Sequence, residues 1–332
     1  NKEKFWENSV LNDVFSSFKL RASYGKVGNV GGLSDFGALN TYSATLYGGQ
    51  SALVYSATGN PKLKWETSKK TDIGLSFGLL ENKITGEISY YKNNIDGLIF
   101  ATPLPPSAGI PNPTANSILQ NAGRMYNRGV ELSVNVAAIK KEMFSWNVGL
   151  NLTTNKNRVI SLSEGIPSII AGSFDTYTIT SPGSPVGMLY VVRTGGVDPE
   201  TGRRIFIDSK GRNVYYQHAV NANLPAKYQW SYEDGSRAPA ISPAADAVPY
   251  KTAAPKIFGG LNNTLRYRDF ELNFLITYQF GGNMIDGTQA TMHDQRFWNN
   301  SADVLDRWQK PGDVSGVARI INGDNVSAGN TM

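Results

Sequence analysis

From Phe144 to Leu152 every even position is apolar, and the odd positions Ser145, Asn147, Gly149, Asn151 and Thr153 are polar or glycine. Successive side chains of an extended strand point to opposite faces, so this period of two predicts a strand with one apolar face and one wet face. The pattern recurs. Ile73, Leu75, Phe77 and Leu79 alternate, and after Glu81, Asn82 and Lys83 the alternation resumes at Ile84, Ile88 and Tyr90. Val130, Leu132, Val134 and Val136 pair with the opening stretch across Lys140, Lys141 and Glu142. Ile257, Leu261, Leu265 and Tyr267 lead through Arg268 and Asp269 into Phe270, Leu272, Phe274, Ile276, Tyr278 and Phe280. These are three hairpins. With half of another at residues 18–25, they make seven strands.

Whether the apolar face meets protein or lipid is decided by the connections. Turns inside the hairpins are a few residues long, whereas the segments between them run over residues 25–65, 93–121, 156–256 and from 282 onward. In an antiparallel meander all short turns fall at one end and all long loops at the other, which is the asymmetry of an outer-membrane barrel. A soluble sandwich has no reason to keep it. The expected fold class is therefore all-β, a transmembrane antiparallel β-barrel with short periplasmic turns and long extracellular loops. Asn82, Lys141 and Asp269 are expected at one rim, and Gly109, Trp230 and Trp298 beyond the other. The strands around Phe144 and Phe270 run about eleven residues, against the ~9–11 that cross a bilayer at a tilt. Phe144, Trp146, Tyr267 and Phe270 at one end, and Tyr278 and Phe280 at the other, suit interfacial girdles. Lys19, Arg21, Glu87, Glu131 and Glu271 fall on the polar face, expected to line a wet or plugged lumen.

Composition agrees. The 34 glycines, 11% aromatic and 18% charged residues describe turns and strands rather than helices. There is no cysteine, hence no disulfide framework and no thiolate ligand or nucleophile. No stretch approaches the ~20 apolar residues of a spanning helix. The net charge of +5 is scattered through turns and loops, which predicts a basic rim facing anionic surfaces and not nucleic acid. Seven strands cannot close an even-numbered barrel, and an open edge is not tolerated in lipid. The chain, residues 1–332, is thus expected to be an interior piece of a longer protein, a partial barrel with a long extracellular loop region at 156–256.

Motifs for chemistry are weak. GKVGNVGGL, residues 25–33, has neither the P-loop nor the dinucleotide spacing. VDPETG and FIDSKG place acids near glycines without the ligand spacing of a calcium loop. No G-x-S-x-G elbow exists, and His218 and His293 are far apart. No catalytic residue, metal site or cofactor is expected, and an enzyme is not.

Residues 60–100, NPKLKWETSKKTDIGLSFGLLENKITGEISYYKNNIDGLIF, resemble the late-barrel signature of the SusC-like TonB-dependent outer-membrane transporters. NAGRMYNRGVELSVN at 121–135, GGVDPETGRRIFIDSKG at 195–211, the hairpin at 255–284 and DRWQKPGD at 306–313 resemble the segments that follow in that family. The resemblance implies a barrel of 22 strands filled by an N-terminal plug, with plug and closing strands outside this sequence. It implies import of glycans or peptides across the outer membrane of a Gram-negative bacterium, driven by TonB and capped by a SusD-like lipoprotein. Outer-membrane lipid and lipopolysaccharide would be its surroundings. Tyr215, Tyr216, Tyr228, Trp230 and Tyr232 in the longest loop are candidates for stacking on sugar rings or packing on the partner, with packing inside the loop as the other reading. Residues 195–256 are expected to form part of the lipoprotein docking surface. The alternative functions are a surface adhesin or glycan-binding β protein, and, behind these, an outer-membrane hydrolase.

Overall fold

The alternating segments become strands of one antiparallel sheet. In a computed structural model, β1 (Phe15–Asn29), β4 (Glu66–Leu79), β5 (Ile84–Pro103), β6 (Ser117–Lys140), β7 (Phe144–Thr154), β17 (Ile257–Tyr267) and β18 (Phe270–Phe280) pair in that order. The structure describes residues 14–327 except 32, 34, 106, 108–116, 164, 174–175, 219–227 and 297–298. Gly109 and Trp298 therefore lie outside the described residues. The three tight turns share one end of the sheet, because Leu79 pairs with Ile84, Lys140 with Ser145 and Tyr267 with Phe270. Leu80, Glu81, Asn82 and Arg268 adopt positive φ there, which lets the chain reverse within a few residues.

Facing residues in the ladder share a side of the sheet, so register sorts the side chains. Leu20, Leu75, Ile88, Leu132 and Leu152 form one row, and Phe18, Phe77, Gly86, Val134, Leu150, Leu261 and Ile276 the next. Leu20 is 68% and Phe270 79% exposed, and Ile73, Leu272, Phe274, Ile276 and Phe280 are exposed beside them. An apolar face of this extent left bare needs lipid or a partner over it. The opposite face is polar: Arg21 pairs with Glu87 and, at 3.4 Å, with Asp72.

Three aromatic side chains lie over glycines of the facing strand. Tyr91 faces Gly129 and donates to the Thr154 carbonyl at 3.2 Å, on the polar side. Tyr278 faces Gly259 and donates to the Asn151 carbonyl at 2.8 Å, on the apolar side. Phe77 covers Gly86, where an added Cβ would come within 2.6 Å of the ring. A Cβ on Gly129 or Gly259 would meet a backbone carbonyl oxygen at 1.9 Å, so both positions require glycine. Asn263, a polar residue on the apolar face, is 4% exposed and accepts a hydrogen bond from the Trp146 indole at 3.2 Å.

Away from the tight turns the strands run further than the alternation suggested. β5 has 20 residues and β6 has 24, so much of the segment 93–121 expected to be loop is strand. Apolar residues such as Ile95, Leu98, Ile99 and Phe100 fall on both faces there, and the shift at 96–99 resets the alternation, which hides the period of two. Likewise β8 (Lys156–Leu162), read as the start of a loop, pairs with β6 where β7 has ended. A register shift at Gly97, which takes φ +69, interrupts the β5–β6 ladder. The backbone groups freed nearby are met by the NPKLKWE stretch. Asn121 donates to the carbonyls of Lys64 and Gly97 at 2.7 and 2.9 Å and accepts from the Lys64 N–H at 2.8 Å. Asn60 donates to the Leu119 carbonyl at 2.8 Å, and Glu66 accepts from the Ile99 N–H at 2.8 Å and from Asn29 at 3.0 Å. Between β1 and β4 stands a separate hairpin of β2 (Thr41–Tyr47) and β3 (Gln50–Ala57).

A second compact unit comprises residues 170–179, 187–253 and 283 onward. Its strands are β9 (Ile169–Ser173), β10 (Thr176–Thr180), β11 (Met188–Val191) and β16 (Val248–Thr252), in the order β16-β11-β10-β9. Beside these, β12 (Arg193–Val197), β13 (Arg204–Ile207), β14 (Asn213–Tyr216) and β15 (Trp230–Ser231) pair in chain order. Short helices α1 (Pro243–Asp246) and α2 (Gly287–Met292) complete it, with a 3-10 turn at Ala302–Asp306.

The assignment of faces is testable at the middle of β18. Phe274→Arg is expected to destabilise the sheet by about 2–4 kcal/mol, and Asn273→Arg, one residue away on the polar side, by much less. Unfolding of the membrane-extracted protein measures both; equal losses would refute the assignment.

Candidate functional site

The aromatics singled out in the long connection converge in the second unit. Tyr215 and Tyr216 are neighbours on β14 and so face opposite ways. Tyr216, 3% exposed, joins Phe206, Val214, Ala238 and Ile241 in the core. Its ring lies 4.6 Å from that of Trp230, which in turn stands 5.7 Å from Phe206. Tyr215 is buried too, with the Arg203 guanidinium 4.8 Å from its ring centroid. Tyr232 is half-buried beneath Arg212, at 4.3 Å. Tyr216 and Tyr215 thus hold the unit together and are withdrawn from outside contact. Tyr228 alone of the five is exposed, at 41%.

Tyr228 and Trp230 line a surface recess of about 610 Å³ together with Gln229, Arg237, Pro239 and Ala240. A ring, an indole edge and a guanidinium around one depression can stack on a planar or ring-shaped group and donate hydrogen bonds to its oxygens. Arg203, Arg212 and Arg237 were not singled out from sequence. Arg212 stands three residues before Tyr215 and Arg237 five after Tyr232, and that interleaving was the available signal.

The acidic turns are structural. Asp198 accepts from the Glu200 N–H at 3.2 Å and from the Thr201 hydroxyl, closing the DPETG turn. Asp208 accepts from the N–H groups of Lys210 and Arg212 at 3.0 and 2.8 Å and pairs with the Arg212 guanidinium at 2.8 Å. Burial raises its pKa, but these bonds and the Arg212 charge outweigh burial and hold the carboxyl below the usual range. The VDPETG and DRWQKPGD segments meet. Trp308 of DRWQKPGD donates to the Pro199 carbonyl at 2.7 Å, and the Arg319 N–H donates to the Gly202 carbonyl at 3.0 Å. Gly202 has φ +69, and a Cβ there would lie 2.3 Å from the Trp308 ring.

His293 does belong to a polar cluster. Asp303 accepts from the Ser301 hydroxyl, from Gln289 at 3.2 Å, and contacts the His293 ring at 2.8 Å. The Ser301 bond first, then those of His293 and Gln289, hold the Asp303 carboxyl well below the usual range. The carboxylate stands between serine and imidazole, the reverse of a Ser-His-Asp triad, in which the imidazole bonds the serine hydroxyl. His218 meets the Tyr216 hydroxyl at 3.2 Å instead. Among the described residues no group of three metal-ligating side chains occurs.

A sheet with one bare apolar face, one polar face, tight turns at one end and long connections at the other defines a membrane-spanning β-barrel protein. Residues 8–185, just over half of the chain, match the family described as TonB dependent receptor-like, beta-barrel, and the chain belongs to that family. It is 28% identical to TonB-dependent receptor P3 of Formosa agariphila over 96% of this chain and 30% of that protein. It is 26% identical to the TonB-dependent receptor SusC of Bacteroides thetaiotaomicron over 91% of this chain and 30% of SusC. The chain therefore spans about a third of the length of the relatives it matches. Among solved structures, the RagAB peptide transporter superposes with a TM-score of 0.75 at 22% identity, covering 96% of this chain and 32% of that one. This likeness is one of fold. The family expected from the quoted motifs is the family found.

Burial, chiefly, together with the nearby Asp324 charge, pushes the Tyr216 hydroxyl up to about 12. The unfolded chain releases that proton near ~10. The group's contribution to stability is therefore complete below that value and is lost as pH rises through about 12. In Tyr216→Phe the corresponding phase should vanish from a titration of phenolate absorbance and from the alkaline melting of the unit. An unchanged alkaline profile would exclude Tyr216 as its source. Gly202→Ala should cost about 1 kcal/mol or more and speed proteolysis within 187–253.

Proposed function

We propose that this chain forms the late part of the barrel of an outer-membrane importer of large nutrients, glycans or peptides, in a Gram-negative bacterium. In this reading TonB energises import and a SusD-like surface lipoprotein captures the solute. The observation that carries it is the asymmetry of the connections. Three turns of a few residues join the strands at one end, while the connection from β8 to β17 contributes much of a folded unit with its own core. A passive pore needs no such insertion, whereas a receptor that meets its solute together with a partner does. Relatives named as TonB-dependent receptors, SusC among them, and the fold shared with the RagAB peptide transporter support the same class.

Residues 195–256 are proposed to include part of the lipoprotein docking surface, centred on Tyr228, Trp230 and Arg237. Aromatic and arginine side chains in a recess are the residue types that dominate binding energy at protein interfaces. Removing residues 213–247 would delete β14 and β15 and with them Val214, Tyr216 and Ala238 of the core, so surface substitutions make the sharper test. Tyr228→Ser combined with Arg237→Ser should leave a folded, membrane-inserted protein and weaken lipoprotein binding by ~2 kcal/mol, roughly thirty-fold. Co-purification and uptake of the large solute measure this. Full-yield co-purification with normal uptake would refute the docking assignment.

A further inference from the structure

Directly beyond the apolar band, at the end away from the tight turns, the lipid-facing side of the sheet turns basic. The highest apolar row runs through Ala22, Ile73, Tyr90 and Val130, with Thr154, Ile257 and Phe280 at the same level. On the same face the next row places Lys92 opposite Arg128 and Arg128 opposite Lys156, on the consecutive strands β5, β6 and β8. The row after that sets Lys26 opposite Lys69 and ends in Tyr126 opposite Arg158. The shared face is confirmed by contacts: the Lys92 ammonium and the Arg128 guanidinium lie 5.9 and 5.3 Å from the centroid of the Tyr126 ring.

Like charges directly opposite one another destabilise a sheet. Here they recur in two adjacent rows, with strands about 4.8 Å apart. Among the described residues Asp96, 2.8 Å from Lys69, is an acid that answers them on this face. Lys26, Arg128, Lys156 and Arg158 are exposed. At the other rim the two signs are mixed, with Glu81, Glu142 and Asp269 among Lys83, Lys140, Lys141 and Arg268. Two rows of mostly one sign beside the apolar band suit an amphiphile with an anionic head. Its acyl chains would lie along Leu20, Ile73, Ile88 and Leu132, and its head would meet the cations.

We propose that these two rows form a binding site for the phosphate groups of a phosphorylated glycolipid of the outer leaflet, with Lys92, Arg128 and Lys156 as its centre. The site rests on the membrane-barrel fold and is independent of the docking surface above. Arg128 offers the planar fork that engages two phosphate oxygens at once, while the lysines act as point charges around it.

The test uses the full protein extracted in a mild detergent, with purified lipopolysaccharide, the same lipopolysaccharide after enzymatic dephosphorylation, and a zwitterionic phospholipid as probes. Wild type should bind the phosphorylated form at least tenfold more tightly than the dephosphorylated one, with affinity falling as salt rises. Lys92→Gln/Arg128→Gln/Lys156→Gln should lose that preference, and Lys83→Gln/Lys140→Gln/Lys141→Gln at the other rim should keep it. Heat-modifiable migration on gels reports folding of each variant, and the two wild-type affinities decide the matter even where a variant fails to fold. Equal binding of the two lipopolysaccharide forms by wild type would overturn the proposal. So would a folded first variant that keeps glycolipid but loses a co-purified lipoprotein, since the rows would then be a protein interface. Failure to bind any lipid would instead count against the membrane placement itself.

Discussion

Within a bilayer no water is at hand for the peptide groups, so each N–H and C=O of a spanning strand must find its partner in the next strand. That requirement dictates the sheet. It forces continuous pairing from β1 to β18, and it leaves side chains only the choice between two faces. It also explains how a polar side chain survives on the apolar side. Asn263 is tolerated because the Trp146 indole, one strand away, caps its amide oxygen and screens it. An unpaired amide in lipid would cost several kcal/mol.

The same demand accounts for the aromatic residues facing glycine. Where Gly129 or Gly259 lets a backbone carbonyl of β7 come close, the ring of Tyr91 or Tyr278 fills the missing side-chain volume and its hydroxyl donates to that carbonyl. The device appears on both faces, so it is a property of the ladder rather than of lipid. Beyond the membrane level, Asn60, Glu66 and Asn121 do comparable work for the interrupted β5–β6 ladder, binding backbone groups that the register shift at Gly97 releases.

Sequence alone made β4, β7, β17 and β18 legible because each must be apolar on one side for most of its length. The outer halves of β5 and β6 were illegible for the converse reason: with water or protein on both faces, Asn93, Asn94, Asp96 and Asn121 obey no period, although their backbones continue the ladder. The strands of the second unit are mostly four or five residues long, too short for a pattern to rise above composition. Its aromatics were found but not sorted. Tyr216 in the core and Tyr228 on the surface look alike in a sequence, since a ring packs equally well against Trp230 or against a ligand.

The motifs that carry the family resemblance turn out to have internal duties. NPKLKWE fastens the approach to β4 onto β5 and β6, and Asn121, which opens the next motif, is its main anchor. VDPETG and DRWQKPGD, about a hundred residues apart, clasp each other through Trp308, Pro199 and Gly202. Residues engaged in this way are poor places to encode a solute or a partner, because any change there disturbs the scaffold first. In the proposed importer, selectivity would fall to side chains that the clasps position but do not use. Tyr228, Arg237 and Pro239 line the recess and are not among the residues of the core formed by Phe206, Val214 and Ile241, which makes them the candidates on that reading. On the same proposal, a fixed frame of this kind would allow the rim to change while the fold stays the same.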